Sequence, residues 1–222
     1  MAVTKAEELY SQITGRKYIL LLSLAIAVVI VFLVDISVGP AWLSITEILS
    51  TILTPNSVDP ANRFIVWNLR LPIALMAIVV GASLAIAGAE MQTILDNPLA
   101  SPYTLGISAA AGFGAALVLV LGIGIIPHGG EFMIPINAFL FAMLSCFLIY
   151  AIARKVRFSK ETMVLAGIAV LFLFQCLLGL LQYLASEEKL QGVVFWMFGS
   201  ILKTTWTKLG ITTATLLIVI PL

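Results

Sequence analysis

Long apolar runs with few or no charged residues constrain this chain more than any other feature. A membrane-spanning helix needs about 20 predominantly apolar residues, and a backbone in lipid must satisfy its hydrogen bonds within a helix or a closed barrel. The runs do not alternate as barrel strands do. We therefore predict an all-α, polytopic transmembrane helix bundle after an N-terminal segment over residues 1–17. The predicted spans cover residues 18–38, 71–91, 103–126, 132–153, 162–185 and 206–222.

Composition supports a membrane protein and excludes several other classes. Of the 222 residues, 61% are hydrophobic and 10% are charged, against about 45–50% and about 25% in soluble domains. This surplus of apolar side chains excludes a soluble enzyme and a disordered chain. The net charge of +1 provides no basic field for phosphate, so we expect membrane lipid as a partner and no nucleic acid.

Lysine and arginine near the ends of the spans predict which side of the membrane each loop occupies. With six spans, the N-terminal segment, the 92–102 loop and the 154–161 loop share one side, which carries seven Lys and Arg residues. The other side carries five, and the short 154–161 loop alone holds four of the seven. We therefore place the N-terminus in the cytoplasm.

The second and third spans are rich in small residues. Gly81, Ala85 and Ala89 follow a small-xxx-small spacing in the second span, which also contains Gly88, and Gly106 lies in the third. Small side chains allow helix backbones to approach closely in membranes. We expect these two helices inside the bundle and the Leu- and Phe-rich spans against lipid. The close packing either lines a pathway or is generic.

Two prolines mark the turn between these two spans. Pro98 disfavours a helical backbone at Asn97, and Pro102 suits a helix start. Asn97 and Ser101 can bond the backbone groups that the turn frees. The second helix should therefore end before Asn97, and the third should begin near Pro102.

A short helix is predicted on the outer side, between the first two spans. Residues 44–47 read Ser-Ile-Thr-Glu, which is a capping-box pattern. Apolar residues follow at helical spacing, so the segment should form an amphipathic helix at the membrane interface.

No sequence pattern for covalent chemistry is present. The chain has no Walker-type phosphate loop and no nucleophile–base constellation, and its single histidine and two isolated cysteines do not make a metal-binding pattern. We therefore expect no catalytic residue, no metal and no cofactor in this chain.

Residues 88–106 carry the most specific pattern. They fit Gly-Ala-x-x-Gln-x-x-x-x-Asn-Pro-Leu-Ala-x-Pro-x-x-Leu-Gly, which resembles the signature of FecCD-type permeases. Leu69-Arg70-Leu71-Pro72 is similar to the family's Leu-Arg-Leu-Pro-Arg segment, with Ile73 in place of the second arginine. Asp96 stands where many members carry arginine. The resemblance extends from about residue 18 to residue 222.

This resemblance implies the membrane subunit of an ABC importer for iron–siderophores, haem or cobalamin in a bacterial or archaeal inner membrane. Such permeases have roughly ten helices of about 20 residues and work as homo- or heterodimers by alternating access at the dimer interface. A pair of cytoplasmic ATPase subunits binds ATP and Mg²⁺. A periplasmic or lipid-anchored binding protein delivers the substrate. The chain itself would be a transport subunit and not an enzyme.

The resemblance also implies roles for particular residues. The cytoplasmic turn or gate would consist of Gln92, Asn97, Pro98, Leu99, Ala100 and Pro102. Helix packing along the pathway would involve Gly81, Gly88 and Gly106. On the outer face, Arg63 and Arg70 are candidate contacts for an acidic docking surface, or they are ordinary boundary charges.

The family's ATPase-coupling loop follows the sixth helix, so it would lie beyond Leu222. We expect this chain to be a fragment, a truncated reading frame or a deliberately incomplete chain. On its own it should not transport.

Two alternatives remain open from the sequence. An ion-coupled secondary transporter would place ionisable residues in mid-membrane, but here the span centres are nearly free of charge, with only Glu90 near an end. A non-transporting truncated membrane protein would have to fold stably without further helices. Loss of uptake on ATP depletion with the ion gradient intact distinguishes an ABC importer from the ion-coupled transporter. Stability of this chain in detergent tests the non-transporting alternative.

Overall fold

A computed structural model describes residues 2–39, 41–125, 130–156 and 158–221, and these ranges contain helices, turns and loops but no β-strand. The α-helices are α1 (Ala2–Ser37), α2 (Ile45–Leu53), α3 (Pro60–Phe64), α4 (Leu71–Leu95), α5 (Ile107–Ala116), α6 (Met133–Val156), α7 (Lys160–Leu184), α8 (Glu187–Phe198) and α9 (Trp206–Val219). A π-helical segment over Ile65–Arg70 joins α3 to α4, and a second over Leu117–Leu121 extends α5. A short 3-10 turn precedes α6. The predicted all-α, polytopic fold class is confirmed.

Four helical segments in the described part of the chain are long and apolar enough to cross a membrane. Each of them overlaps a predicted span. They are Thr14–Ser37, Pro60–Leu95, Gly130–Val156 and Lys160–Leu184. Because α1 begins at Ala2, most of the predicted N-terminal segment over residues 1–17 is also helical.

The third and sixth predicted spans are shorter in the structure than the sequence indicated. The third is Ile107–Leu121, because residues 102–106 form turns and Gly122 ends the helix with a left-handed φ of 71°. At 1.5 Å per residue this helix is about 22 Å long, which is less than the ~30 Å hydrocarbon core. The sixth is Trp206–Val219. The predicted span ends at residues 126 and 222 lie outside the described residues.

The chain divides into two compact units. The first runs to Val79 and resumes at Ile201, and the second covers Val80–Ser200. One apolar cluster forms in the first unit, and it joins the end of α1, α2, the Ile65–Arg70 segment and the start of α4. Its buried residues are Ile36, Leu43, Ile48, Val66, Leu71 and Ala74.

In the second unit, α5 packs against α6 and α7. Ala110, Ala115 and Ala116 are fully buried. A Cβ atom at Gly114 would lie 2.8 Å from the Asn137 carbonyl oxygen of α6, so a side chain there would collide with that helix. The prediction that small residues place the third span inside the bundle is therefore confirmed within this unit.

The small residues of the second span have different surroundings. Gly81, Ala85 and Ala89 of α4 are exposed, so this small-residue face is not packed within the chain. Small residues allow close approach of another helix, but the sequence does not reveal whether that helix belongs to the same chain. No described helix covers this face, so the position of the second helix inside the bundle stays a prediction.

Helix α2 confirms the predicted capping box. The Glu47 N–H donates to Ser44 Oγ (3.3 Å), and the Ser44 N–H donates to Glu47 Oε2 (2.7 Å). The Ser44 N–H and the Ser44 hydroxyl (2.7 Å) both donate to the Glu47 carboxylate, and these two bonds lower the pKa of Glu47. Ile48 and Thr51 are buried on one face of α2, while Ile45 and other apolar residues on the opposite face remain exposed.

Arg70 ties the end of α1 to the start of α4. Its Nη1 atom donates to the carbonyl oxygens of Ile36 (2.5 Å) and Ser37 (3.2 Å), and its Nη2 atom donates to the Ala41 carbonyl oxygen. The last carbonyl groups of a helix have no partner within the helix. The guanidinium supplies those partners, and Gly39 leaves room for it, because a Cβ atom there would lie 2.7 Å from Arg70 Nη2.

Two tryptophans extend this network across the first unit. The Trp67 Nε1–H donates to the Thr51 carbonyl oxygen (3.0 Å), and the Trp206 Nε1–H donates to the Trp67 carbonyl oxygen (2.9 Å). The two indole rings lie 6.2 Å apart between centroids. The Ile65–Arg70 segment therefore bonds to α1, α2 and α9 through Arg70 and Trp67.

Replacement of Arg70 should destabilise the protein far more than replacement of Arg63. We expect Arg70→Met to lower the free energy of unfolding by about 2–4 kcal/mol, because three carbonyl groups lose charge-assisted hydrogen bonds. Arg63 is exposed and bonds only the Asn56 side chain among the described residues. Arg63→Met should therefore change the free energy of unfolding by about 0.5 kcal/mol or less. Thermal unfolding of the full chain in detergent measures both, and equal losses would contradict the interpretation.

Candidate functional site

The predicted cytoplasmic turn follows α4 and is held by local hydrogen bonds. α4 ends at Leu95, and Asp96 adopts a left-handed φ of 48°. The Asn97 N–H donates to the Gln92 carbonyl oxygen (3.1 Å), and Asn97 Oδ1 accepts a hydrogen bond from the Leu99 N–H (3.0 Å). The expected role of Asn97 in bonding the backbone of the turn is confirmed.

A second bonded turn follows at Ser101. The Ser101 N–H donates to Thr104 Oγ1 (2.9 Å), and the Thr104 N–H donates to Ser101 Oγ (3.2 Å). These bonds resemble a helix N-cap, yet α5 begins only at Ile107 because Gly106 interrupts the backbone with a left-handed φ of 78°. The predicted helix start near Pro102 is therefore a turn, and the regular helix starts five residues later.

Gly106 brings this turn into direct contact with α7. A Cβ atom at Gly106 would lie 2.6 Å from both the Cα and the backbone nitrogen of Leu171. One turn earlier on α7, a Cβ atom at Gly167 would lie 2.5 Å from Leu105 Cδ2. The two glycines thus let Leu105 and Gly106 pack against the α7 backbone, as helices with small residues do in membranes.

Some residues of the turn are buried and others are exposed. Ala100 is buried, whereas Leu99 is 79% exposed and Tyr103 is 66% exposed. Gln92 and Pro98 are also exposed. Pro102, the remaining residue of the predicted gate motif, is partly buried. The turn is therefore fixed on one side and presents apolar side chains outward on the other.

An ion pair joins the turn to the start of α7. Lys160 Nζ lies 3.1 Å from Asp96 Oδ2. The Lys160 and Asp96 side chains are 53% and 81% exposed, so solvent screens the pair and its contribution to stability is small. A cleft of about 490 Å³ opens beside the pair. It is lined by Leu95, Asp96, Asn97, Lys160, Glu161, Val164 and Leu165.

The predicted packing glycines of α4 have no neighbour in the described part of the chain. A Cβ atom at Gly81 or at Gly88 would meet no heavy atom within 4 Å. Of the three glycines named from the sequence, Gly106 alone makes a close contact with another helix here. A packing role for Gly81 and Gly88 stays a prediction that requires a helix outside the described residues.

The two candidate outer-face arginines have different surroundings. Arg63 is exposed, and its Nη1 atom donates to Asn56 Oδ1 (3.1 Å). Arg70 is partly buried and bonds three backbone carbonyl groups. The structure therefore leaves Arg63 accessible and gives Arg70 a structural role that the sequence did not predict.

Three contacts in the second unit were also missed from the sequence. Lys189 Nζ donates to the Val120 carbonyl oxygen (2.6 Å), near the end of the Leu117–Leu121 segment. Asn137 Nδ2 donates to the Gly114 carbonyl oxygen (2.6 Å). The third is the Asp96–Lys160 pair. A buried asparagine in an apolar span was a usable signal for Asn137, whereas the other two contacts depend on tertiary geometry.

The described site consists of hydrogen-bonded turns and close helix contacts. Among the described residues, no group of three His, Cys, Asp or Glu side chains could hold a metal ion. Glu90, an ionisable residue near the C-terminal end of the second span, is exposed. The site is a short turn that is held by side-chain hydrogen bonds and contacts the α7 backbone through Gly106.

Alanine at Gly106 and alanine at Gly88 should have effects of opposite sign. We expect Gly106→Ala to lower the free energy of unfolding by about 2 kcal/mol or more, because a left-handed alanine is strained and its Cβ overlaps the α7 backbone. Gly88→Ala should raise it by about 0.5–1 kcal/mol, since alanine favours a helix and has open space. Thermal unfolding of both variants in detergent tests this, and a stable Gly106→Ala protein would refute the contact.

Comparison with known proteins places these features in a family. Residues 26–222 match the FecCD transport family. The chain is 35% identical to the ABC transporter permease protein MJ0087 of Methanocaldococcus jannaschii, covering 94% of this chain and 61% of that protein. It is 34% identical to the vitamin B12 import permease BtuC of Serratia proteamaculans (87% and 53% covered). It is 32% identical to the molybdate import permease MolB of Haemophilus influenzae (86% and 56% covered).

A solved structure supports the same assignment. It is a metal-chelate type ABC transporter in an inward-facing conformation, with a TM-score of 0.73 and 28% identity, and the match covers 90% of this chain and 59% of that chain. The present chain spans between half and about three-fifths of the length of these relatives. The predicted family is therefore confirmed, and the chain belongs to the FecCD transport family.

Proposed function

We propose that this protein is the membrane-spanning permease subunit of an ATP-driven ABC importer and moves an iron(III)–siderophore or a related metal chelate inward. The family match over residues 26–222 carries the proposal. The relatives named above are ABC transporter or import-system permeases. ATP hydrolysis would take place in separate subunits, and this chain would carry no cofactor.

The choice of a metal chelate rests on the names of the relatives. Vitamin B12 is a chelated cobalt compound, and the matched structure is described as a metal-chelate type transporter. MolB is named for molybdate, which is an oxyanion and not a chelate. The vitamin B12 permease and the metal-chelate type transporter favour a bulky metal chelate as the substrate. Molybdate is the competing substrate class.

The proposed mechanism is alternating access at the interface of a permease dimer. ATP binding in two cytoplasmic partner subunits would move the cytoplasmic ends of the helices and reorient the bundle. The turn at Asn97–Pro102 would take part in the inner gate, because its exposed Leu99 and Tyr103 can meet other chains. The open faces at Gly81 and Gly88 would accept a helix of the second permease subunit.

The proposal also assigns partners and orientation. A periplasmic or lipid-anchored binding protein would deliver the chelate to the outer face, where the exposed Arg63 is a candidate contact for an acidic surface. The N-terminus and the 154–161 loop would lie in the cytoplasm of a bacterial or archaeal cell, with the spans in its inner membrane.

Energy coupling is the first test of this function. In cells that express the whole permease with its partner subunits, uptake of a radiolabelled iron–siderophore should cease after ATP depletion with the ion gradients held. It should persist when the gradients collapse and ATP remains. The reverse pattern would indicate an ion-coupled transporter, and uptake of molybdate alone would refute the metal-chelate substrate.

The side-chain oxygen of Asn97 should matter for transport. Asn97→Ala removes the acceptor of the Leu99 N–H, and we expect a fall in uptake of about five-fold, the equivalent of one hydrogen bond of about 1 kcal/mol. Asn97→Asp keeps that acceptor and should retain most of the uptake. The amount of each variant in the membrane and its assembly with the ATPase subunits serve as controls. If Asn97→Ala retains as much uptake as Asn97→Asp, the turn takes no part in gating.

A further inference from the structure

The exposed face of α6 forms a continuous apolar stripe. Phe139, Met143, Phe147 and Tyr150 are 61%, 53%, 66% and 47% exposed. At 3.6 residues per turn, these four side chains fall within a sector of about 80°. The opposite face carries the buried residues of the helix, so this stripe is the side that no described helix covers.

Arg154 continues the same stripe at the end of the helix. It lies four residues after Tyr150, within the same sector, and Lys155 follows it in the last turn of α6. Both cations are exposed. The stripe thus ends at the positive charge of Arg154, and Lys155 adds a second charge about 100° further around the helix at the boundary of the apolar span.

Neither charge is neutralised within the described residues. Lys160, the next described cation along the chain, pairs with Asp96 at 3.1 Å, whereas no described acceptor or carboxylate bonds Arg154 or Lys155. An arginine at a membrane boundary keeps its charge and attracts phosphate groups, which it can bind with two parallel hydrogen bonds.

An aromatic pair adjoins the two cations. The rings of Tyr150 and Phe158 meet edge to face with centroids 6.1 Å apart, and Phe158 is 62% exposed. Aromatic side chains at this depth favour the headgroup region of a bilayer. The two rings provide an apolar surface beside the cations, against which the acyl chain can pack close to its headgroup.

We infer that Arg154 and Lys155, with Tyr150 and Phe158, form a binding site for the headgroup of an anionic phospholipid. The apolar stripe would hold an acyl chain and the two cations would hold the phosphate. The exposed stripe lies within the candidate membrane span Gly130–Val156 and shares one face of the helix with Arg154, which favours a lipid over an acidic surface of an ATPase subunit. This inference needs only a membrane around the helix and does not depend on the transported substrate.

Titration of lipid onto the purified full chain, followed by native mass spectrometry, tests the site. The probes are phosphatidylglycerol and phosphatidylcholine with identical acyl chains. We expect the double variant Arg154→Gln/Lys155→Gln to bind phosphatidylglycerol about 30-fold more weakly, since each lost hydrogen bond to the lipid phosphate costs about 1 kcal/mol. Binding of phosphatidylcholine should stay unchanged.

The chain offers a matched control in Arg16 and Lys17. They are an adjacent Arg-Lys pair, are exposed, and lie near the start of the candidate span Thr14–Ser37. Arg16→Gln/Lys17→Gln removes the same charge, and we expect phosphatidylglycerol affinity to change by about two-fold or less, below the ~1 kcal/mol of a single bound cation. The exchange Arg154→Lys/Lys155→Arg keeps both charges and should restore affinity if the double variant folds poorly.

Several results would overturn the site. Equal loss at both Arg-Lys pairs would mean general attraction of anionic lipid to positive charge. Unchanged phosphatidylglycerol affinity in the Arg154→Gln/Lys155→Gln protein would exclude lipid, and loss of the ATPase partner in that variant would then identify a protein surface instead.

Discussion

The supply of hydrogen-bond partners to backbone carbonyl groups governs this structure. A helix in lipid satisfies its own backbone, but every interruption or end leaves carbonyl groups without a partner. In this chain side chains from distant sequence positions fill that need. Arg70 bonds the end of α1, Lys189 bonds the Val120 carbonyl group, and Asn137 bonds the Gly114 carbonyl group. Each contact stabilises a helix end or a π-helical segment and also joins two elements.

Local chemistry was predictable from the sequence where it depends on neighbouring residues. The capping box at Ser44 and Glu47 formed as predicted because both partners lie within one helical turn. The end of α4 before Asn97 was equally predictable, since Pro98 excludes helical geometry at the preceding residue. The start of α5 was not predictable, because the left-handed backbone at Gly106 reflects its contact with Leu171, 65 residues further along the chain.

Two glycine-rich helices with similar composition have different surroundings. The small residues of α5 are buried by α6 and α7, whereas Gly81 and Gly88 of α4 face open space. Composition indicates that a helix can be approached closely, but it does not specify the approaching partner. Arg70 illustrates the same limit among charged residues. Its position near a span end suggested a docking contact, yet its guanidinium is committed to three carbonyl groups of its own chain.

The contact at Gly106 has a genetic consequence. A new Cβ atom at this position would lie 2.6 Å from two main-chain atoms of α7, closer than the 3.0 Å to the Leu171 Cβ atom. Main-chain atoms are present whatever residue occupies position 171, so no replacement of Leu171 can make room. Suppressors of a defective Gly106 substitution should therefore arise where they shift α7 as a whole, and not at the residue that it touches.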